Sequence, residues 1–266
     1  RKDLRMPSAK RKEEGATSPA KKKASKKVKV DPVVKGELKP VNIPGGPDGW
    51  DVLENTLLFK SFGVNKEGEA REKVAAFDLD GTVIKTRSGN AWASGPDDWQ
   101  QFNKDVFKKM QKYHDEGYRI AIFSNQGGIG KDVTGKAGQK LMKKIDMIYE
   151  RKANPKASKT QRHLFPFPFV AFFAAGKGSP YRKPDPGMFE FFKKTFNEGK
   201  CNLSQSFFCG DMAGREGDPN RSDSDKEFAK SCGISFKTPE DIFGEESGKK
   251  AVPKRGKDEK NQNEKL

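Results

Sequence analysis

Cysteine and histidine are scarce in this chain, and long apolar runs are missing. Among 266 residues there are three cysteines and two histidines. Cys201, Cys209 and Cys232 are odd in number and share no short paired spacing. They suggest no zinc site and imply a reducing compartment. His114 falls among polar neighbours and His163 beside an aromatic run, positions that suit surface or packing roles better than ligation. No run of 18 apolar residues occurs, which excludes a membrane-spanning helix and makes a membrane an unexpected partner. Nor does an apolar stretch follow the basic N-terminus, which argues against a secretory signal.

What the chain has instead is charge: 53 Lys and Arg against 37 Asp and Glu, a formal net charge of +16, with only 33% of positions hydrophobic. The excess is uneven. Residues 1–40 carry 14 basic and 5 acidic side chains, residues 245–266 carry 7 and 5, and the 20 phenylalanines lie almost wholly between these segments. The expected organisation is a disordered basic tail over 1–40, one α/β domain over 41–244, and a disordered charged tail over 245–266. The runs Lys10-Arg11-Lys12 and Lys21-Lys22-Lys23 resemble a two-part nuclear localisation signal, so the nucleus is the expected compartment. Basic runs also bind nucleic acid by releasing counterions from phosphates.

Within 41–244, four short apolar runs read as strands buried on both faces: Lys73 to Phe77, Arg119 to Phe123, Phe169 to Ala175 and Ser206 to Cys209. Helical stretches separate them: Asp98 to Glu116, roughly Gly138 to Lys152, Gly187 to Asn197, and Lys226 to Ser231. The alternation predicts a three-layer, Rossmann-like parallel sheet with ligands beyond the carboxyl ends of its strands. Thr56 to Val64 and Arg71 to Phe77 flank a polar turn, so a hairpin onto the first core strand is expected.

The first core strand ends in Asp78-Leu79-Asp80-Gly81-Thr82. Two carboxylates crowded where a strand stops repel each other unless a cation joins them, which points to a divalent metal. Later strand ends supply complementary groups. Ser124-Asn125-Gln126-Gly127-Gly128 offers a hydroxyl and backbone N–H groups for phosphate oxygens, Tyr181-Arg182-Lys183-Pro184 a cation, and Gly210-Asp211-Met212-Ala213-Gly214-Arg215 another carboxylate.

This order of motifs resembles the haloacid dehalogenase superfamily. Thr86-Arg87-Ser88-Gly89, Asp98-Trp99, Gly210 to Arg215 and Thr238 to Phe243 narrow the resemblance to the phosphatase domain of the polynucleotide kinase 3′-phosphatase family, over about residues 57–243. The resemblance implies Mg2+ as cofactor and DNA with 3′-phosphate ends as substrate, at single-strand breaks, gaps and double-strand ends. It implies Asp78 as nucleophile and Asp80 as general acid and base. The metal ligands would be the Asp78 carboxylate, the Asp80 main-chain carbonyl and Asp211. Ser124 and the Asn125 N–H would grip phosphoryl oxygens, and Lys183 would add fixed positive charge. Asp225 matches the second acidic residue of the last motif, orienting Lys183 or a metal-bound water, with Asp223 as a rival. Arg87, Arg182 and Arg215 are candidate DNA contacts.

Two further features bear on function. Gly130 to Ala137 nearly spells a nucleotide-binding P-loop, but Ala137 stands where Ser or Thr is needed, and the Ser124 loop already occupies the strand-to-helix junction. Only 43 residues separate Asp80 from Ser124 and 58 separate Ser124 from Lys183, too few for a large cap domain. An open site suits a polymer end. The alternatives are a cap-less phosphatase of a small metabolite and a non-catalytic nucleic-acid-binding protein.

Overall fold

The apolar runs form the sheet that their composition demands. The structure, a computed structural model, describes residues 39–40, 49–63, 70–130, 132–150, 167–176, 178–216 and 222–244. The expected tails fall outside the described residues apart from 39–40. Among the described residues no helix is long and apolar enough to cross a membrane.

Among the described residues ten strands are present: β1 (Lys39–Pro40), β2 (Asp51–Leu53), β3 (Leu57–Phe62), β4 (Lys73–Phe77), β5 (Ile84–Lys85), β6 (Gln100–Gln101), β7 (Tyr118–Asn125), β8 (Phe169–Ala174), β9 (Phe207–Cys209) and β10 (Ser235–Lys237). Five α-helices accompany them among the described residues: α1 (Val106–Asp115), α2 (Lys136–Glu150), α3 (Gly187–Phe196), α4 (Ser224–Cys232) and α5 (Pro239–Phe243). Eight strands make one sheet in the order β1-β2-β3-β8-β7-β4-β9-β10, and β5 pairs with β6 in a separate ribbon. The five strands from β8 to β10 are parallel. β1, β2 and β3 extend the β8 edge in antiparallel fashion, so the sheet is mixed rather than wholly parallel.

Phenylalanine fills both faces of the sheet. On one side Phe77, Phe169 and Phe173 join Val106, Met110, Met142 and Ile145 of α1 and α2, and Phe77 stacks on Phe243 of α5. On the other, Phe172 meets Phe191, Phe192 and Phe196 of α3, while Phe208 meets Phe228 of α4. Burying each such ring contributes roughly 1.5–3 kcal/mol, so the three layers are held chiefly by aromatic area.

Two expectations are corrected. β3 does not form a hairpin with β4; it pairs with β8, from Leu57↔Ala174 to Phe62↔Phe169. Both edges of β4 are taken, by β7 and by β9, whereas β3 gains Phe62 stacked on Phe169 at 4.7 Å and Phe59 on Phe172. The helix expected from Asp98 starts only at Val106. Asp98 is spent accepting hydrogen bonds from Ser88 and Ser94, Gln100–Gln101 pair with β5, and Asn103 Oδ1 accepts from the Asp105 N–H in a turn. The expected end of the second helix, beyond 150, lies outside the described residues.

Candidate active site

Register assembles the site. Phe77 at the end of β4 is level with Ile122 of β7 and Cys209 of β9. Asp78, Ser124 and Asp211 therefore emerge one or two residues later along the same edge. In chain order the parallel strands lie third-second-first-fourth-fifth, so this edge is the crevice where connections leave in opposite directions. The Asp78 N–H donates to the Cys209 carbonyl at 2.8 Å, which ties the two strand ends together.

Lys183, in the loop leading to α3, is buried between two carboxylates. Its Nζ lies 2.8 Å from Asp78 Oδ1 and 2.7 Å from Asp225 Oδ1. Asp225 Oδ2 in turn accepts from the Met212 N–H at 3.0 Å. Asp223 is exposed at the start of α4, so of the two rivals it is Asp225 that faces Lys183. Asp78, Asp211 and Asp225 each bring an oxygen into a cluster spanning no more than 4.8 Å.

Three carboxylates against one ammonium leave two negative charges, the complement of a divalent cation. Burial, then the neighbouring Asp225 and Asp211, push Asp78 up to about 8 despite Lys183. Asp211 is pushed up to about 6, by burial first and Asp225 second. Lys183 is raised, since Asp225 and Asp78 outweigh its desolvation. Asp211 Oδ1 is buried without a hydrogen-bond partner among the described residues, the state of an oxygen built for a cation. The donor set is all oxygen, as Mg2+ prefers.

Glycine makes the crowding feasible. Gly81 has φ +79°, and a Cβ there would come within 2.5 Å of Asp211 Oδ2. Gly210 leaves the space that the Asp225 carboxylate fills. Ala137 sits in the first turn of α2, and the end of β7 is followed instead by Gln126 and a short turn over Gly127–Ile129.

Asp80 is placed differently. Its side chain is about half exposed; Oδ2 accepts from Gln126 Nε2 at 2.7 Å and Oδ1 from Lys144 Nζ at 3.1 Å. Ser124 is buried, and its Oγ accepts from the same Gln126 Nε2 at 3.0 Å. The side-chain amide of Asn125 exchanges two 2.9 Å hydrogen bonds with the Lys183 main chain, which locks the loop bearing the buried cation.

Each candidate DNA contact is engaged with another part of the chain. Arg215 forms a two-pronged pair with Glu240 of α5, at 3.1 and 2.7 Å, joining the Gly210–Arg215 loop to that helix. Arg87 donates to the Trp99 carbonyl at 3.2 Å, and Arg182 lies beside Gly127. Gln126 and Lys144 went unselected in the sequence. Gln126 lay inside a motif read for its neighbours, and Lys144 is one lysine among several on α2, with nothing in the sequence to mark it.

Fold and site together define a three-layer α/β protein with a carboxylate cluster at its strand ends and no large cap among the described residues. The polynucleotide kinase 3 phosphatase family matches residues 73–243, and the chain belongs to that family. The bifunctional polynucleotide phosphatase/kinase of Schizosaccharomyces pombe is 34% identical over 194 residues, 73% of this chain and 42% of that protein. The polynucleotide 3′-phosphatase of Saccharomyces cerevisiae is 34% identical over 208 residues, 64% of this chain and 87% of that one. The polynucleotide 3′-phosphatase ZDP of Arabidopsis thaliana is 32% identical over 207 residues, 73% and 27% respectively. The chain thus spans less than half of the Schizosaccharomyces and Arabidopsis proteins and most of the Saccharomyces one. A solved HAD-like phosphatase from Mesorhizobium loti overlays at a TM-score of 0.46 with 17% identity, over 68% of this chain and 78% of that chain.

Proposed function

We propose that the chain is a Mg2+-dependent polynucleotide 3′-phosphatase that restores 3′-OH at DNA strand breaks, gaps and double-strand ends. The observation that carries this reading is the Asp78–Lys183–Asp225 chain beside the unpartnered Asp211 oxygen, in a chain of this family.

Asp78 attacks phosphorus and forms an aspartyl-phosphate, splitting one displacement into two. Lys183 holds the carboxylate in place and offsets the charge of the phosphoryl group in a dry setting. Ser124 and the Asn125 N–H take phosphoryl oxygens. Asp80 gives its proton to the leaving 3′-oxygen and then takes one from the water that opens the intermediate. Asp78, Asp211 and the Asp80 carbonyl would hold the metal, which supplies charge neutralisation to the transferring group. Asp225 stays with Lys183 as its fixed counter-charge.

The net charge of +16 favours a polyanionic end over a small ester. The basic segment 1–40 is proposed to direct the protein to the nucleus. The test measures phosphate release from gapped DNA carrying a 3′-phosphate, with Mg2+ and with EDTA, against a 5′-phosphate end and small phosphate esters. Magnesium-dependent release from the 3′ end alone is expected. Preference for the small esters would make this a metabolite phosphatase, and no release from any substrate would leave nucleic-acid binding alone.

A further inference from the structure

Gln126 is the hinge point of two groups that must act in sequence on the same phosphate. Its side-chain nitrogen carries two protons, and two acceptors lie within reach: Asp80 Oδ2 at 2.7 Å and Ser124 Oγ at 3.0 Å. The opposite amide orientation would set a carbonyl oxygen against a carboxylate oxygen, so the donor must face Asp80. The consequences differ at the two ends. Asp80 protrudes from the strand end about half exposed, and a carboxyl so placed would sample several rotamers unless tied. Gln126 fixes one oxygen, and Lys144 of α2 fixes the other at 3.1 Å. Ser124 has one proton and two lone pairs; with a lone pair occupied by Gln126, its proton is left to donate to a phosphoryl oxygen.

We propose that Gln126 is a positioning residue for the phosphatase reaction, aligning the Asp80 carboxyl with the leaving oxygen while aiming the Ser124 hydroxyl at the phosphoryl group. The inference rests on the phosphatase reading above. In the first step the bond from phosphorus to the leaving oxygen breaks, the Asp78 oxygen–phosphorus bond forms, and the Asp80 proton passes to the leaving oxygen. In the second, water attacks phosphorus, its proton goes to Asp80, and the Asp78 carboxylate departs.

Proton delivery matters only when the leaving group is a poor one. The experiment therefore compares a 3′-phosphorylated oligonucleotide, whose leaving group is an alkoxide, with p-nitrophenyl phosphate, whose phenolate leaves unprotonated. Single-turnover rates are measured for the unaltered full chain, Gln126→Ala and Gln126→Glu. In Gln126→Ala the oligonucleotide rate is expected to fall at least about tenfold further than p-nitrophenolate release, with KM for the oligonucleotide little changed. Gln126→Glu, isosteric but unable to donate, is expected to be at least as impaired. Melting temperatures within a few degrees of the unaltered chain would assign the loss to alignment and not to folding. Equal losses on both substrates, or none, would overturn the inference. If the unaltered chain cleaves p-nitrophenyl phosphate but no oligonucleotide, the substrate reading fails instead, and β-glycerophosphate supplies the alkoxide arm for the same comparison.

Discussion

At the scale of single residues, Lys183 carries the largest burden, because it is the one buried ammonium among the described residues and two carboxylates pair with it, in a cluster that Asp211 completes. Removing one partner of a buried ionic network leaves the others uncompensated, at a cost of about 3–5 kcal/mol. Lys183→Met is therefore expected to destabilise the metal-free protein by that order, read by urea unfolding, and to abolish turnover. Asp78→Ala should abolish turnover while DNA binding survives, since surface charge supplies most affinity. Retention of more than a few per cent of activity would remove Asp78 from the nucleophile role. The same cluster sets a pH dependence. Folding raises Asp78 to about 8 and Asp211 to about 6, so the folded state holds more protons than the unfolded chain between the ordinary carboxylate range and those values. Stability of the metal-free protein must then fall as pH rises from about 4 to about 8. A divalent cation replaces those protons. Melting curves in EDTA should drop from pH 6 to pH 8, and Mg2+ should raise the melting temperature more at pH 8 than at pH 6. A metal-free protein that is more stable at pH 8 would contradict the assignment.

At the scale of elements, turns decide which strand ends are usable. Gly81 allows the chain to turn at φ +79° while leaving the Asp211 carboxylate undisturbed. Gly81→Ala adds backbone strain on the order of 1–3 kcal/mol and a methyl group against that carboxylate. Weaker Mg2+ binding by calorimetry is the expected outcome, beyond any fall in stability. The β5–β6 ribbon depends on Asp98, which accepts from the backbone and hydroxyl groups of Ser94 and Ser88. Those donors, the Ser94 N–H foremost, hold its carboxyl well below the usual carboxylate range. Asp98→Ala should release the loop that displays the exposed Trp92. Faster amide hydrogen exchange over 86–99 with unchanged exchange in β4 would report that local loosening, and unchanged exchange over 86–99 would show that Asp98 does not organise it.

At the scale of the whole molecule, the basic segment and the carboxylate site are separable in sequence. Residues 1–40 contribute a net +9 and none of the site residues. Deleting them is expected to leave turnover at saturating DNA nearly unchanged, while each lost phosphate contact flattens the slope of log K against log[salt] by roughly 0.9 on duplex DNA. The truncated chain should also lose nuclear accumulation. An unchanged slope would show that the segment does not touch DNA, and collapse of turnover would place it at the site.

The strand cores and the site motifs were legible because they are local. An unbroken apolar run such as Phe169 to Ala174 can be buried only on both faces, and a carboxylate pair such as Asp78 and Asp80 at a strand end is electrostatically conspicuous wherever it folds. Tertiary structure alone decided partners. β3 could have turned back onto β4, but Phe62 and Phe59 found their stacking partners on β8, a strand more than a hundred residues away. Asp98 could have opened a helix, yet four donors from Ser88 and Ser94 drew it into a loop. Likewise Asp223 and Asp225 are equivalent as letters; helix α4 turns one outward and drives the other against Lys183. Local sequence sets which groups are present and how each segment buries its apolar face, whereas the pairing of a buried charge depends on which oxygen arrives within hydrogen-bond reach, and that is fixed only when distant segments pack.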